Sequence, residues 1–263
     1  MPIGPFEREV LRLLAVNRNP ESFVGGATVL LHAADAPRRS EDIDLFHDTQ
    51  QSLRLAVDQD LKTLRAADYT AELTMEGPYF YRASVARAGQ LTKLEWVFDS
   101  AFRFFPVEAD LDMGWRLNFW DAATNKLLAF AGRSVLRDYI DVLYLHTRHL
   151  PLGALAWASA GKDPGLTPEM ILGMARRNAR FPEADLSTLH LANPVDFPTL
   201  KRIFLQAADE AEALFQRLPM SEIGCLYLNA SSQPVFPDAD SNEFAKLTRH
   251  FGCVKGAWPR VGE

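Results

Sequence analysis

Between residues 23 and 46 the chain reads FVGGATVLLHAADAPRRSEDIDLF, and the residues in it whose types and spacing could do chemistry are Gly25, Gly26, Asp42 and Asp44. Glycines let a backbone come close to a bound anion with no Cβ in the way. Residues 27–33 read as the first turns of a helix, whose free N–H groups and positive dipole end would face that anion, a triphosphate being the natural guest. On a strand over 42–46, alternation sets both aspartates on one face and Ile43 with Leu45 on the other. Two carboxylates side by side repel unless a cation sits between them. Hard oxygen donors in that arrangement suit Mg²⁺, which keeps waters and substrate phosphates as its remaining ligands. Taken singly, Gly-Gly reads as a turn and Asp-x-Asp as a solvated strand end or a helix cap. In this order, with Arg39 and Ser40 leading into the acidic strand, they read together as a site for a phosphate and a divalent metal.

Further along, period two over 91–99 places Lys93, Glu95, Val97 and Asp99 on one face and Leu94, Trp96 and Phe98 on the other. Two-metal phosphoryl transfer needs a third acid on the metal that activates the attacking hydroxyl, and this face offers both Glu95 and Asp99 for it, with a strand-end turn as the structural role of Asp99. Residues 124–146 read as two helices with Leu127, Leu128, Phe130 and Ala131 on an apolar face and a break at Gly132. Helical spacing there also permits ion pairs between Arg133 or Arg137 and Asp138 or Asp141.

Four segments resemble, in the same order, the AbiEii/AbiGii-type nucleotidyltransferases of the DNA polymerase β-like superfamily. They are Gly25-Gly26-Ala27-Thr28, then Arg38-Arg39-Ser40-Glu41-Asp42-Ile43-Asp44-Leu45, then Lys93-Leu94-Glu95, and last the helical series Lys126, Arg133, Asp138. The match runs from residue 22 to about 146. The resemblance implies transfer of a nucleoside monophosphate from an NTP to an acceptor hydroxyl with release of pyrophosphate, in the presence of Mg²⁺ or Mn²⁺. It makes Asp42, Asp44 and Glu95 the catalytic carboxylates and metal ligands, with Glu95 also taking the acceptor's proton. It assigns nucleotide binding to Gly25, Gly26, Thr28, Ser40, Lys126, Arg133 and Asp138, with Lys126 reaching the triphosphate. Two positions depart from the superfamily pattern: Ala27 stands where many members carry Ser, with Thr28 one step later, and Glu95 stands where Asp is common. The family resembles the toxin half of bacterial toxin–antitoxin or phage-defence pairs, which implies an antitoxin partner and an acceptor that is RNA or protein. Two further readings stay open. One is a catalytically silent relative acting as a binding or regulatory module. The other is a glycosyltransferase using Asp42-x-Asp44 on a nucleotide sugar, which leaves Gly25-Gly26 without a role.

The elements that must position these residues make the first part of the chain α/β: helices over 6–17 and 53–67, and strands over 70–75, 79–87 and 91–98. After Phe119 the pattern turns helical, with helices over 168–180 and 199–218 and a late strand or extended arm over 227–235. The fold class expected is therefore α/β (α+β): a polymerase β-like domain with a mixed sheet over 1–118, and a mainly helical domain over 119–263 that completes the nucleotide pocket. The division between them falls within 109–120. At 263 residues, 48% of them apolar, the chain can bury a substantial core. A net charge of −6 argues against nucleic-acid binding by the whole surface. Local basic groups remain at Arg38-Arg39, at Arg176-Arg177 with Arg180, and in the tail from His250 to Arg260. Two cysteines, Cys225 and Cys253, imply neither a zinc site nor a disulfide framework, and His146 with His149 lacks a third ligand. With no signal peptide and no apolar run long enough to span a bilayer, a reducing cytoplasm is the expected location.

Overall fold

The computed structural model describes residues 3–33, 35–40 and 42–259; Ala34 and Glu41 of the acidic segment and Arg260 of the basic tail lie outside the described residues. The chain divides into two compact units, Met1–Ala101 with Pro106–Ala122, and Phe102–Phe105 with Ala123–Glu263. Its strands are β1 (Ser22–Val24), β2 (Asp42–His47), β3 (Thr70–Glu76), β4 (Phe80–Arg87), β5 (Gln90–Phe98), β6 (Phe102–Arg103), β7 (Glu108–Asp110), β8 (Gly114–Arg116), β9 (Cys225–Leu228), β10 (Thr248–Phe251) and β11 (Cys253–Val254). The first unit holds a seven-stranded mixed sheet in the order β3-β4-β5-β2-β1-β8-β7. Within it β2 and β5 run parallel, as do β1 and β8, and the remaining neighbours are antiparallel.

Helices α1 (Pro5–Leu14), α2 (Gly26–Leu30) and α3 (Gln50–Ala66) complete this unit. Pro5 is set in the first turn of α1, where its missing N–H costs nothing, and Phe6, Val10, Leu11 and Leu14 form its buried stripe. A capping box starts α3: the Thr49 hydroxyl accepts from the Ser52 N–H, and the Ser52 hydroxyl accepts from the Thr49 N–H. Leu53, Val57, Leu61 and Leu64 then recur on its buried side. Both α1 and α3 pack on β2 and β5, whose inward residues Ile43, Leu45, Leu94 and Trp96 are fully enclosed. The opposite face of the same two strands carries Asp42, Asp44, Lys93 and Glu95.

Polar groups fasten this core as well as apolar ones. Asp60 on α3 accepts from Arg18 Nη2 at 2.5 and 2.7 Å, from Trp96 Nε1 at 2.7 Å and from Asn17 Nδ2 at 2.9 Å. The Arg18 and Asp60 side chains are 1% and 0% exposed, so neither charge has water as an alternative partner. His47 closes the end of β2: the Ser22 hydroxyl lies 3.1 Å from Nε2 and the Val97 carbonyl 3.4 Å from Nδ1. A carbonyl can only accept, so Nδ1 carries the proton and Nε2 receives the hydroxyl's. Burial, and then the charge of Arg18, push the His47 pKa down to about 3.

The second unit contains all of α4 (Phe119–Gly132) from Ala123 onward, then α5 (Leu136–Arg148), α6 (Leu152–Ser159), α7 (Pro168–Asn178) and α8 (Phe197–Phe215). Two small antiparallel pairs, β9 with β10 and β6 with β11, join it. Every residue of α6 is buried. Gly153 lets it approach α8, since a Cβ there would stand 2.9 Å from the Ala211 Cα. The periodicity reading passes over α6 because Leu-Gly-Ala-Leu-Ala-Trp-Ala-Ser is apolar on all sides and so has no moment to detect. It also extends the helix after the glycine turn to residue 33, whereas α2 ends at Leu30. The His32 N–H already bonds back to Val29, and Pro37 lies shortly beyond, where no helix could continue.

Removing the Asp60 carboxylate leaves the Arg18 guanidinium buried without its counter-charge, so Asp60→Ala is expected to lose about 3–5 kcal/mol in urea denaturation; an unchanged midpoint would refute this. The depressed His47 pKa gives stability that is present above the unfolded value near 6.5 and is lost as the pH falls toward about 3. His47→Leu is expected to flatten that part of the stability–pH curve, read by thermal melts in a pH series.

Candidate active site

The turn between β1 and α2 is shaped by contacts inside the chain. The Gly25 N–H donates to the Asp44 carbonyl at 3.0 Å. Gly26 has φ +59°, and a Cβ on it would stand 2.0 Å from Asp44 Oδ2, while a Cβ on Gly25 would meet the Phe46 ring at 2.4 Å. Both glycines are thus required by the approach of the turn to β2 itself. Two enclosed hydroxyls fix the start of β2: Thr28 Oγ1 and Ser40 Oγ donate to the Asp42 carbonyl at 3.3 and 3.2 Å. Their sequence-based assignment was to the nucleotide; the bonds they make set the backbone beneath Asp42.

Strand register decides which acids meet. In the parallel pair, Asp42 is level with Lys93 and Asp44 with Glu95. In the antiparallel pair β4–β5, Glu95 is level with Arg82. Lys93 Nζ lies 3.8 Å from Asp42 Oδ1 on a side chain that is 62% exposed, a contact worth little. Arg82 is closer: its Nε donates to Glu95 Oε1 at 2.8 Å and its Nη2 lies 2.7 Å from the same oxygen. The structure therefore brings Asp42, Asp44, Glu95, Gly25, Gly26, Thr28 and Ser40 together in the first unit. Asp99 directly follows β5: its N–H donates to the His47 carbonyl at 3.0 Å, and its Oδ1 accepts from the Ser100 N–H at 2.8 Å.

Among the described residues, no three His, Cys, Asp or Glu side chains already form a metal cluster. The donor set nonetheless fits a hard divalent cation: three carboxylates lie on neighbouring positions of one sheet face, and only the lack of a Cβ at Gly26 admits the Asp44 carboxylate beside the turn.

Lys126, Arg133 and Asp138 come together in the second unit. Lys126 Nζ on α4 lies 2.8 Å from Asp138 Oδ1 and 3.1 Å from Asp141 Oδ2, and Arg133 Nε donates to Asp138 Oδ2 at 2.8 Å. Burial on its own would raise the Asp138 pKa, but the Lys126 charge and the hydrogen bonds from Arg133 and Lys126 outweigh it and hold the carboxyl below its ordinary value. Lys126 is enclosed between these carboxylates, while the Arg133 side chain is 52% exposed. Arg82 is the contact of a candidate site residue that sequence reasoning missed, because its position opposite Glu95 depends on a register that no local pattern gives.

The family model described as nucleotidyl transferase AbiEii toxin, type IV toxin–antitoxin system, matches residues 12–214. The chain belongs to this family. Its members are nucleotidyltransferases. Among the solved structures similar to this chain in fold are the following two. One is MenT4, a nucleotidyltransferase toxin from Mycobacterium tuberculosis H37Rv, at 14% identity and TM-score 0.57, covering 82% of this chain and 83% of that one. The other is JHP933 from Helicobacter pylori, at 19% identity and TM-score 0.52, covering 81% and 91%. Comparison with curated proteins returned no match. No helix among the described residues is long and apolar enough to cross a membrane.

Lys126→Ala would leave Asp138 and Asp141 buried with Arg133 as the remaining cation of the set, and is expected to cost about 3–5 kcal/mol in urea denaturation. Adding Asp141→Asn should recover part of that loss, and a double variant no more stable than Lys126→Ala would show that charge balance is not what Lys126 provides.

Proposed function

We propose that this AbiEii-family chain transfers a nucleoside monophosphate from an NTP to an acceptor hydroxyl, with Asp42, Asp44 and Glu95 as the carboxylates of a Mg²⁺ or Mn²⁺ site. The observation that supports it most directly is the level pairing of Asp44 with Glu95 beside the Gly25-Gly26 turn. A bound divalent metal would supply charge neutralisation for the phosphates and polarisation of the acceptor hydroxyl. The three carboxylates would hold it, and the backbone bonds from Thr28 and Ser40 would keep Asp42 in place. In the reaction a bond forms between the acceptor oxygen and the α-phosphorus, the bond to the β-phosphate oxygen breaks, and pyrophosphate leaves. Glu95 takes the acceptor's proton. Positioning of the two substrates provides much of the rate. Arg133, held at Nε by Asp138 and half-exposed, is the member of its cluster best suited to meet phosphate oxygens, with Lys126 and Asp138 bracing it. The family assignment supports a toxin role with a cognate antitoxin as partner; RNA or protein as acceptor and the cytoplasm as location belong to the same proposal.

Asp44→Ala removes a proposed metal ligand from the face of β2 opposite the buried Ile43 and Leu45. Incubated with α-³²P-labelled NTPs, Mg²⁺ or Mn²⁺ and total cellular RNA or protein, it is expected to transfer label about a hundredfold more slowly than the native chain, or worse, with an unaltered thermal melt. Native-level labelling by that variant would overturn the reading.

A further inference from the structure

We propose that Arg82 is an internal counter-cation that holds Glu95 until a divalent cation takes the carboxylate over, an inference that rests on the metal reading above. One row across the sheet reads Arg82, Glu95, Asp44, each level with the next on a neighbouring strand. Like charges opposite each other on adjacent strands repel, and Glu95 faces Asp44 in this way. The guanidinium relieves that repulsion from the other side. Its Nε and Nη2 both engage Oε1, at 2.8 and 2.7 Å, so the ion pair uses one oxygen of Glu95 and leaves Oε2 outside it. The Arg82 and Glu95 side chains are 36% and 17% exposed. Water still reaches the guanidinium and screens the pair, so it adds only modestly to stability and an incoming cation can displace it. When Glu95 leaves, the guanidinium keeps a resting place, since it already lies over the Phe80 ring at 5.2 Å. Arg82 thus lowers the intrinsic cation affinity of the site and makes delivery of the third carboxylate part of cation loading.

The test is Mn²⁺ binding to the full chain without nucleotide, followed by electron paramagnetic resonance, for the native protein, R82Q, R82K, E95Q, R82Q/E95Q and D44N. R82Q is expected to bind Mn²⁺ about threefold or more tightly than the native chain. R82K, which keeps the charge and guards against a folding defect at this position, should fall between them. In the E95Q background R82Q should bring no gain, because the carboxylate it releases is gone. Unchanged or weaker binding by R82Q would overturn the proposal, and so would an equal gain in both backgrounds, which is a general charge effect. Mn²⁺ binding by D44N as tight as native, or no saturable binding by any variant, would instead overturn the metal reading and the Arg82 role with it.

Discussion

The parallel pairing of β2 with β5 is the constraint from which the rest of the first unit follows. Parallel neighbours cannot be joined by a tight turn, so the chain between them has to travel, and it does so as α3, β3 and β4. That route brings β4 back alongside β5 and so delivers Arg82 to Glu95. It also lays α3 under the sheet, where Leu53, Val57, Leu61 and Leu64 face the inward side chains of β2 and β5. A one-residue slip of β2 on β5 would exchange Ile43 and Leu45 for the aspartates and put two carboxylates into the core. The burial of those apolar residues therefore holds the register that sets Asp44 beside Glu95.

A site built from three acids on one sheet face stores repulsion, and the fold answers it with charge of its own. Arg82 balances Glu95 closely and Lys93 balances Asp42 loosely. On the other side of the sheet the balance is buried: Arg18 and Asp60 are enclosed, and Trp96 donates to the same carboxylate. Trp96 immediately follows Glu95 in β5 and points the opposite way, so the strand that carries the third acid is anchored through its neighbour. Rigid support of this kind, through residues that touch no substrate, is what a positioned set of ligands requires.

In the second unit, Lys126, Arg133, Asp138 and Asp141 offset one another, and the enclosure of Lys126 gives it a structural task whatever else it does. The Arg176 cluster has the same character on a smaller scale: its guanidinium is taken by Asp209 and Glu212 on α8.

The sequence by itself determined the acidic strand, the glycine turn, the helices with a clear apolar stripe and the family, because each of these is written in residues close together in the chain. Alternation over 42–46 and 91–99 was enough to sort Asp42, Asp44 and Glu95 from Ile43, Leu45, Leu94 and Trp96. It was not enough for α6, whose residues are apolar all round, or for the short α2. Only the tertiary structure decided that the glycines are spent on Asp44 and Phe46, that Thr28 and Ser40 meet the Asp42 carbonyl, and that Arg82 faces Glu95. Each of those facts is a contact between strands or turns distant in sequence. Local periodicity fixes which face a side chain takes, but the partner on that face is chosen by the register in which whole strands bury their apolar sides.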